Sequence, residues 1–356
     1  MRRLFLVAFA GAALVAARSS RAGTSPAPTA RPAPATLQFP RDHGSHPDAA
    51  IEWWYYTGHL AGTTGRHYGF QLTFFRLGDV HLAHFAISDI AGQSFVYDEK
   101  MHLGLPGIAG SAQGGLDVFN EDWFSRARAE GNELSATMPA ASLALTLRPR
   151  KPPVLQGENG LSRKGPGANE YSHYVSVTRF SAAGEITRAG RRESVTGTAW
   201  FDHEWGPGAL PEGAAGWDWF ALQMDDGSDL MLFRMRQKGA AATPFSSGTF
   251  VPAGGAPRPI AWKDVRLAPT SSWTSPHSKA IYPASWSLSV ASVGLTARIT
   301  PLLADQELST TRSTGVTYWE GACKVEGTRD GRPIGGRAYV EMTGYAGRDV
   351  PGFNPP

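Results

Sequence analysis

The sequence has little of several residue types that mark common protein classes. It contains one cysteine, Cys323, which excludes an intrachain disulfide and a zinc site built from cysteines. Charged residues make up only 18% of the chain, and no run of Lys and Arg indicates a nucleic-acid partner. No window keeps a helical repeat of apolar residues, and neither a nucleophile elbow nor a glycine-rich phosphate loop is present. Serine-hydrolase and nucleotide-binding functions therefore have no support in the sequence.

Residues typical of turns and strands are abundant instead. Gly occurs 41 times and Pro 26 times, and 11% of the residues are aromatic. Strand-like runs such as 53–60, 68–76 and 197–205 are separated by turns of Gly, Asn, Asp and Pro. The run 68–76 is apolar on both faces. An open sheet would expose one of these apolar faces to water, so the pattern indicates that both faces are covered. We predict an all-β protein whose antiparallel barrels pack on one another or enclose an apolar ligand.

The N-terminus has the pattern of an export signal. Two arginines follow Met1, residues 4–17 form an apolar stretch too short to span a bilayer comfortably, and small residues continue to Ala22. We predict a signal peptide over residues 1–22 and a periplasmic or secreted protein, with an uncleaved anchor as the alternative. Residues 23–36, rich in Ala, Pro and Thr, are predicted to be a disordered linker. Residues 1–22 carry four Arg and no acid, so the rest of the chain is nearly neutral.

A weak internal repeat divides the chain into two halves. Trp54 lies in an aromatic strand that leads through a Gly turn into a strand ending Leu-x-x-Phe-Arg at Arg76. The same order recurs from Trp217 to Arg234, about half of the exported chain later. We therefore predict two similar antiparallel units with a boundary near Ser194. Their ranges are residues 37–194 and 195–356.

Glu52 is the first candidate catalytic residue, because it precedes Trp53, Trp54 and Tyr55 at the start of a strand. An acid surrounded by indole rings loses solvation, which raises its pKa and makes it a candidate proton donor. The alternative is an aromatic core strand with Glu52 at its rim, paired with an arginine.

The second cluster is Asp202-His203-Glu204, which is flanked by tryptophans on both sides. Strand alternation places His203 on one face with Phe201 and Trp205, and the two acids on the other face. A histidine among aromatic side chains is a candidate general acid/base, and a tryptophan face can stabilise a cationic intermediate. The alternative is a buried, hydrogen-bonded histidine, with both acids paired at an interface.

Asp218 lies between Trp217 and Trp219, which again predicts a raised carboxyl pKa. The alternative for Asp218 is a structural hydrogen bond that closes a strand end. Tyr171 belongs to a further polar and aromatic strand and is a candidate source of lumen hydroxyls. The histidine pairs at 43/46 and 81/84 have a spacing that suits a helix better than a strand, so we predict no metal site.

These motifs together resemble one family, the AttH-like and carotenoid 1,2-hydratase (hydroxyneurosporene synthase) family of lipocalin-like proteins. The resemblance implies two packed lipocalin-like barrels, and water addition to an isoprenoid double bond without a cofactor. His203 and Trp205 match the His-x-Trp of the hydratases, and the resemblance makes Asp218 the matching acid. Exported members imply ABC-transporter components as partners. The segments that carry the resemblance are 46–58, 68–76, 200–206, 217–223, 318–321 and 335–345.

Two functions follow from this reading. The first is an exported enzyme that hydrates or hydrolyses a long hydrophobic isoprenoid or lipid, and the second is a periplasmic carrier of a lipophilic ligand with peripheral membrane contact. In the enzyme, Glu52, His203, Trp205 and Asp218 are expected at one aromatic-lined cavity between the units. The predicted ligand-binding residues are Trp53, Tyr55, Tyr171, Phe201 and Trp217.

Overall fold

The computed structural model describes residues 36–239 and 243–347. The predicted signal peptide lies outside the described residues, as does the predicted linker except for residue 36. Three short 3-10 helices, Arg41–His43, Trp262–Asp264 and Ala291–Val293, accompany the 23 strands of this part of the chain. The protein is nearly all β, as the sequence predicts. No helix within the described ranges is long and apolar enough to cross a membrane.

The first sheet is antiparallel and contains the strands from the N-terminal half of the chain. These strands are β1 (Ile51–Gly62), β2 (His67–Leu77), β3 (Val80–Asp89), β4 (Ser94–Leu103), β5 (Ala109–Ser111), β6 (Asp117–Asn120), β7 (Trp123–Arg128), β8 (Gly131–Met138), β9 (Ala141–Pro149), β10 (Val154–Leu155), β11 (Leu161–Arg163), β12 (Tyr171–Arg188) and β13 (Arg191–Gly206). They follow the order β4-β3-β2-β1-β13-β12-β9-β8-β7-β6-β5, and β10 and β11 pair with β12.

The second sheet is also antiparallel and takes the remaining strands. These are β14 (Ala214–Met224), β15 (Asp229–Gln237), β16 (Ser247–Val251), β17 (Arg258–Ala261), β18 (Val265–Thr274), β19 (Ile281–Val290), β20 (Leu295–Pro301), β21 (Glu307–Thr310), β22 (Val316–Arg329) and β23 (Arg332–Met342). They follow the order β17-β16-β15-β14-β23-β22-β20-β19-β18, and β21 pairs with β22.

The two sheets begin in the same way, which explains the internal repeat. The first strand of each pairs with the following strand and with the last strand of its sheet: β1 with β2 and β13, β14 with β15 and β23. The change from one sheet to the other falls between Gly206 and Ala214. Ser194, where the sequence places the boundary, lies inside β13, because this strand completes the first sheet by pairing with β1.

Each sheet curls around an apolar core of its own, as expected of lipocalin-like units. Trp54, Phe85 and Trp123 lie in the core of the first sheet, and Phe220 and Trp286 lie in the core of the second. All five side chains are almost completely buried. Full burial of one large apolar side chain is worth about 1.5–3 kcal/mol, so these inner faces hold each unit together.

The outer faces of the two sheets pack against each other. Tyr55 and Trp200 of the first sheet share an interface core with Trp219 of the second. Glycine permits the close approach, since a Cβ atom added to Gly69 on β2 would lie 2.6 Å from Cβ of Ala322 on β22. Both faces of the central strands are therefore buried, as the two-sided apolar pattern of β2 predicts.

Candidate active site

A cavity of about 370 Å³ lies between the outer faces of the two sheets. Most of its lining is apolar or aromatic, and the polar groups are concentrated in a few carboxyl, hydroxyl and imidazole side chains. Its lining includes Ile51, Trp53, Tyr55, Phe75, Leu77, Val80, Leu82, His84, Met101, Lys164, Tyr174, Asp202, Glu204, Trp217, Trp219, Phe233, Tyr318, Glu320, Glu341 and Thr343. This composition matches the usual ligand site, which is mainly apolar with a few placed polar groups.

Strand register decides which side chains reach the cavity. On the paired strands β1 and β13, Trp53 lies beside Glu204 and Tyr55 beside Asp202, and all four face the cavity. Their neighbours in the chain point to the opposite face, because successive side chains of a strand alternate. His203 therefore points away from the cavity.

Asp202 is buried at the cavity wall in a ring of hydrogen-bond donors. Tyr174 Oη donates to Oδ2 at 2.6 Å, while Ser176 Oγ and Trp200 Nε1 donate to Oδ1 at 2.5 and 2.8 Å. Burial raises the pKa of Asp202 to about 7 despite these donors, and the charge of Glu204 adds to the rise. Asp202 is thus a carboxyl group poised between its two protonation states at neutral pH.

Glu204 differs from Asp202 because it has a cationic partner. Lys164 Nζ lies 2.7 Å from Glu204 Oε1, and Ser172 Oγ donates a hydrogen bond to the same oxygen. The ammonium group also lies 4.3 Å from the centre of the Phe233 ring. Within the described cavity lining, this is the only ion pair between a carboxylate and an ammonium group.

Glu320 and Glu341 are register partners on β22 and β23, and both line the cavity. Burial raises the pKa of Glu320 well above its usual range, and the neighbouring Glu341 raises it further. Burial raises the pKa of Glu341 to about 8, although a hydrogen bond from Trp217 opposes the change. Two adjacent carboxyls in a low dielectric cannot both ionise at neutral pH, so this pair holds protons there.

Two polar atoms at the cavity have no hydrogen-bond partner among the described residues: Tyr55 Oη and Glu320 Oε1. Both side chains are more than nine-tenths buried. Tyr55 lies near enough to affect the pKa of Glu320, but the pair does not meet hydrogen-bond geometry. Buried polar atoms are rarely left unpaired in proteins, so these two mark a place where a ligand or water would bind.

His84 forms a further polar contact of the cavity wall. Its Nδ1 lies 2.8 Å from Tyr318 Oη and its Nε2 lies 2.9 Å from Ser313 Oγ. Burial lowers the pKa of His84 to about 3, so the ring is neutral at physiological pH. A neutral imidazole held at both nitrogens is suited to fixing the wall rather than to proton transfer.

Glu52 lies on the inner face of the first sheet, outside the cavity lining, and is fully buried. Its Oε1 accepts hydrogen bonds from His203 Nε2 at 2.9 Å and His46 Nδ1 at 2.8 Å. Its Oε2 accepts from Arg76 Nε at 3.1 Å and Ser45 Oγ at 3.1 Å. Trp205 stacks on His46 with ring centres 3.8 Å apart. Glu52, His203 and Trp205 thus form one cluster, which lies outside the cavity lining.

This environment reverses the acid chemistry predicted for Glu52. Burial by itself would raise the pKa, but the hydrogen bonds from His203 and His46 outweigh it and hold the pKa of Glu52 well below its usual range. Burial lowers the pKa of His203, so that the ring is neutral. The prediction that Glu52 is a proton donor is therefore wrong, because a carboxylate with this many donors stays ionised.

His46, Glu52 and His203 also offer three ligand atoms within 4.8 Å of one another, a composition that could hold a metal ion. Two of the ligand nitrogens already donate to Glu52 Oε1, and Arg76 already neutralises the carboxylate through Oε2. Three of the atoms in the cluster are therefore already used in these contacts, whereas His203 Nδ1 is buried without a hydrogen-bond partner among the described residues. The predicted absence of metal stays a prediction.

Asp218 occupies the equivalent position on the inner face of the second sheet. Arg234 Nε lies 2.7 Å from its Oδ2, and Arg236 Nε lies 3.1 Å from its Oδ1. Tyr345 Oη donates a third hydrogen bond to Oδ1 at 3.0 Å. The expected convergence of Asp218 with Glu52 and His203 at one cavity is wrong, since the two clusters lie in the inner faces of different sheets.

The predicted ligand-binding residues divide into two groups. Trp53, Tyr55 and Trp217 line the cavity. Phe201 instead stacks on an inner-face tyrosine in the core of the first sheet, and Tyr171 contacts His173 outside the lining. The difference follows from strand parity for Phe201, which shares the face of His203.

Sequence reasoning missed the acids that do face the cavity. Strand alternation places Asp202 on the face opposite His203, but it assigns no chemistry to that face. Glu320 and Glu341 each interrupt an otherwise apolar segment of a strand, Tyr318–Cys323 in β22 and Ala338–Met342 in β23. A single acid in a strand that is buried on both faces is the signal that would have found them, because an unpaired buried charge is costly.

Comparisons with known proteins agree with this fold. A family model described as AttH-like matches residues 30–345. The crystal structure of a candidate AttH from Nitrosomonas europaea is 39% identical, with a TM-score of 0.80, and the match covers 88% of this chain and 99% of that chain. Kievitone hydratase from Nectria haematococca is 16% identical, with a TM-score of 0.71 and coverage of 88% and 96%.

A more distant likeness is to CghA, crystallised with Sch210972, at 12% identity and a TM-score of 0.55, covering 83% of this chain and 88% of that chain. The two likenesses below 25% identity support the fold alone. The comparison with curated proteins finds no match.

Proposed function

This chain belongs to the AttH-like family, and from that premise we propose that it is a cofactor-independent hydratase acting on a hydrophobic molecule bound between its two sheets. The observation that carries the proposal is a pair of adjacent carboxyl groups, Glu320 and Glu341, that hold protons at the wall of an apolar cavity. Adding water to an alkene requires a proton donor, and a carboxyl group that stays protonated at neutral pH can supply it.

Glu341 is the residue we assign as the proton donor. The part of its surface that is not buried borders the cavity, and the hydrogen bond from Trp217 fixes its carboxyl group. Its pKa of about 8 is near the value at which a general acid is protonated at neutral pH yet still transfers its proton readily. The pKa of Glu320 is raised well above its usual range, so we assign it to binding rather than to proton transfer.

The proposed reaction is balanced by water alone. The proton of Glu341 adds to one alkene carbon, and the π electrons form the new C–H bond and leave a cation on the other carbon. The rings of Trp53 and Trp217 line the cavity and can stabilise that cation through their faces. The oxygen of a water molecule then bonds to the cation, and the proton it releases returns to the Glu341 carboxylate.

The name of one structural relative supports the choice of reaction. Kievitone hydratase shares this fold over most of both chains, although at an identity that supports the fold alone. Isoprenoids and lipids with a reactive double bond are the substrate class we propose. Hydrolysis is the less favoured reaction. Ser313 Oγ and His84 Nε2 lie 2.9 Å apart in the cavity lining, but burial lowers the pKa of His84 to about 3 and makes it a weak base for activating a nucleophile.

The experiment is product analysis by mass spectrometry. The purified protein is incubated with kievitone and with terminally unsaturated isoprenoids in isotopically labelled water. We expect one of these to gain a single labelled oxygen, and Glu341→Gln to abolish the gain. Glu193→Gln is the matched control, because Glu193 is a buried carboxyl held by Tyr68 and Thr64 away from the cavity. Equal turnover in wild type and Glu341→Gln would contradict the proposal.

A carrier of a lipophilic ligand is the second candidate function. It is favoured by one observation: His203 and Asp218, which the resemblance assigns to catalysis, and Glu52, which the sequence pattern makes a candidate, are all used in contacts outside the cavity. A carrier would work with ABC-transporter components and would release its ligand chemically unchanged. Extraction of unaltered ligand after long incubation, together with full binding by Glu341→Gln, would favour this function.

We propose export for both functions. The carrier requires it, and the arginine-flanked apolar stretch at residues 1–22 supports it. Sequencing of the N-terminus of the protein isolated from cell fractions should find a chain that begins near Gly23 in the periplasm or medium. An intact Met1 on most of a cytoplasmic protein would contradict export.

A further inference from the structure

Two apolar rows cross the first sheet and connect the cavity to the surface. In the outer row, strand register places Ile51, Leu77, Val80 and Leu103 side by side on β1, β2, β3 and β4. The first three line the cavity, whereas Leu103, on the edge strand, is 59% exposed. The outer row therefore runs without a polar side chain from the cavity wall to solvent.

The second row lies two residues away from the first on each strand, on the same face of the sheet, and it is also apolar. It consists of Trp53, Phe75, Leu82 and Met101, which are register partners across the same four strands. All four line the cavity, and Met101 is also 49% exposed. Because cross-strand neighbours lie about 5 Å apart, the two rows form one continuous apolar surface.

The exposed end of these rows is the main apolar patch of the described surface. Of seven large apolar side chains exposed in the described ranges, five fall between Tyr97 and Ile108. Isolated exposed apolar residues are ordinary, but a cluster of this kind marks a binding surface. We call Ile51, Leu77, Val80, Met101 and Leu103 the apolar ramp.

The other end of the path carries the unsatisfied polar groups. Tyr55 lies four residues along β1 from Ile51, a distance of about 13 Å at the rise of a strand. Tyr55 Oη and the protonated carboxyl of Glu320 can each donate a hydrogen bond, and neither Tyr55 Oη nor Glu320 Oε1 has a partner among the described residues. Donors of this kind suit an uncharged oxygen, because an anion would meet the desolvated carboxyl groups unfavourably.

We infer that the substrate is an amphipathic lipophile with an uncharged carbonyl or hydroxyl oxygen at Tyr55 and Glu320 and an apolar chain that leaves the cavity along the apolar ramp. This inference rests on the proposed function and names its substrate class. The cavity volume of about 370 Å³ is near the lower end of the range of about 300–1,000 Å³ for ligand sites, so a longer chain must extend beyond it. The ramp spans about 14 Å from Ile51 to Leu103 across three strand spacings, and the last of these, about 5 Å from Val80 to Leu103, leads out of the cavity lining.

A chain-length series tests the inference with binding alone. The probes are straight-chain methyl ketones of increasing length and the alkanes of equal length, with affinity measured by quenching of tryptophan fluorescence. We expect affinity for the ketones to rise with length past the point where the cavity is full. Leu103→Asn should weaken the longest ketones by about fivefold or more and leave the shortest unchanged, because only the longest cover this side chain.

Two further variants complete the test, one as a control for the exposed end of the path and one that removes a donor at its polar end. Ile281→Asn is the matched control, since Ile281 is 63% exposed and lies outside the cavity lining, and it should leave every probe unchanged. Tyr55→Phe should weaken ketones of all lengths and leave the alkanes unchanged.

Two results would contradict a chain that leaves along the apolar ramp. They are an affinity that stops rising once the cavity is full, and a Leu103→Asn effect that is equal for all chain lengths. Equal affinity for ketones and alkanes would contradict the binding of an uncharged oxygen at Tyr55 and Glu320. Neither result depends on turnover, so a failure of the hydration proposal would be recognised separately by unchanged substrate.

Discussion

Two buried acids on the inner faces of the sheets have arginine partners, whereas, among the described residues, three of the four acids that line the cavity have no cation and the fourth, Glu204, pairs with Lys164. Glu52 and Asp218 are fully buried and each contacts at least one arginine. Asp202, Glu320 and Glu341 lie at the cavity and form no ion pair within the described residues. The same amino-acid types therefore form structural ion pairs in one region, whereas burial raises the pKa of Asp202, Glu320 and Glu341 in the other.

The paired acids are a repeated structural device. Glu52 and Arg76 are register partners on β1 and β2, and Asp218 and Arg234 are register partners on β14 and β15. Each arginine is the last residue of the Leu-x-x-Phe-Arg ending that defines the internal repeat. The repeat thus encodes an acid–arginine contact in each unit, and the aromatic residues around each acid bury that contact.

The largest expected effect is a loss of turnover when Glu341, a cavity acid without a cation in the described part of the chain, is replaced. Glu341→Gln removes the proposed proton donor but keeps its shape and polarity, so kcat should fall by about 100- to 10,000-fold. Ligand affinity should change little. The measurement is the rate of water addition under saturating substrate, and a kcat within a few-fold of wild type would contradict the role.

The next effect is on stability and concerns the paired acids. Arg76→Met leaves Glu52 buried without its guanidinium partner, and breaking a buried ion pair in this way should cost about 3–5 kcal/mol. Glu341→Gln, which removes no ion pair, should cost less than about 1 kcal/mol near neutral pH. Denaturant unfolding measures the free energy of unfolding of both variants. Equal losses of stability would contradict the difference between paired and unpaired acids.

A smaller loss is expected in the second unit. Asp218→Asn removes the charge that holds Arg234 and Arg236, but both arginines retain some solvent contact and can be hydrated. Loss of hydrogen bonds to a charged group should cost about 1.5–3 kcal/mol. Thermal unfolding measures it, and a stabilised Asp218→Asn would show that this pair is not structural.

The last prediction concerns the sign of a pH dependence of stability rather than its size. The pKa of Glu341 rises from 4.5 to about 8 on folding, so the folded state holds a proton that the unfolded state has lost in this window. This group therefore lowers stability as pH rises from about 4.5 to about 8, with no further change above. Glu341→Gln lacks the loss, so its stability relative to wild type should increase with pH across the window. A constant difference would mean that the pKa is not raised.

The fold could be predicted from sequence because its signals are local. Alternation, turn residues and the repeated Leu-x-x-Phe-Arg ending are properties of short segments, and they specify strands and two similar units. A boundary is harder to place from local signals, since the length of β13 depends on its pairing with β1, far away in the chain.

The site was predicted less well because strand parity does not say which face is inside a curled sheet. Alternation correctly separates His203 from Asp202, but the face with more aromatic residues proved to be the core of one unit rather than the cavity. Whether a buried acid has a cation also depends on tertiary packing. Arg76 could be matched to Glu52 only after the register of β1 and β2 was known.

The most direct test of this account is the protonation state of Glu341 at neutral pH, measured by infrared difference spectroscopy between wild type and Glu341→Gln. The account predicts a carboxylic-acid band in wild type at neutral pH that disappears as the pH is raised past about 8 and is absent from the variant. A difference spectrum showing only an ionised carboxylate at neutral pH would contradict it.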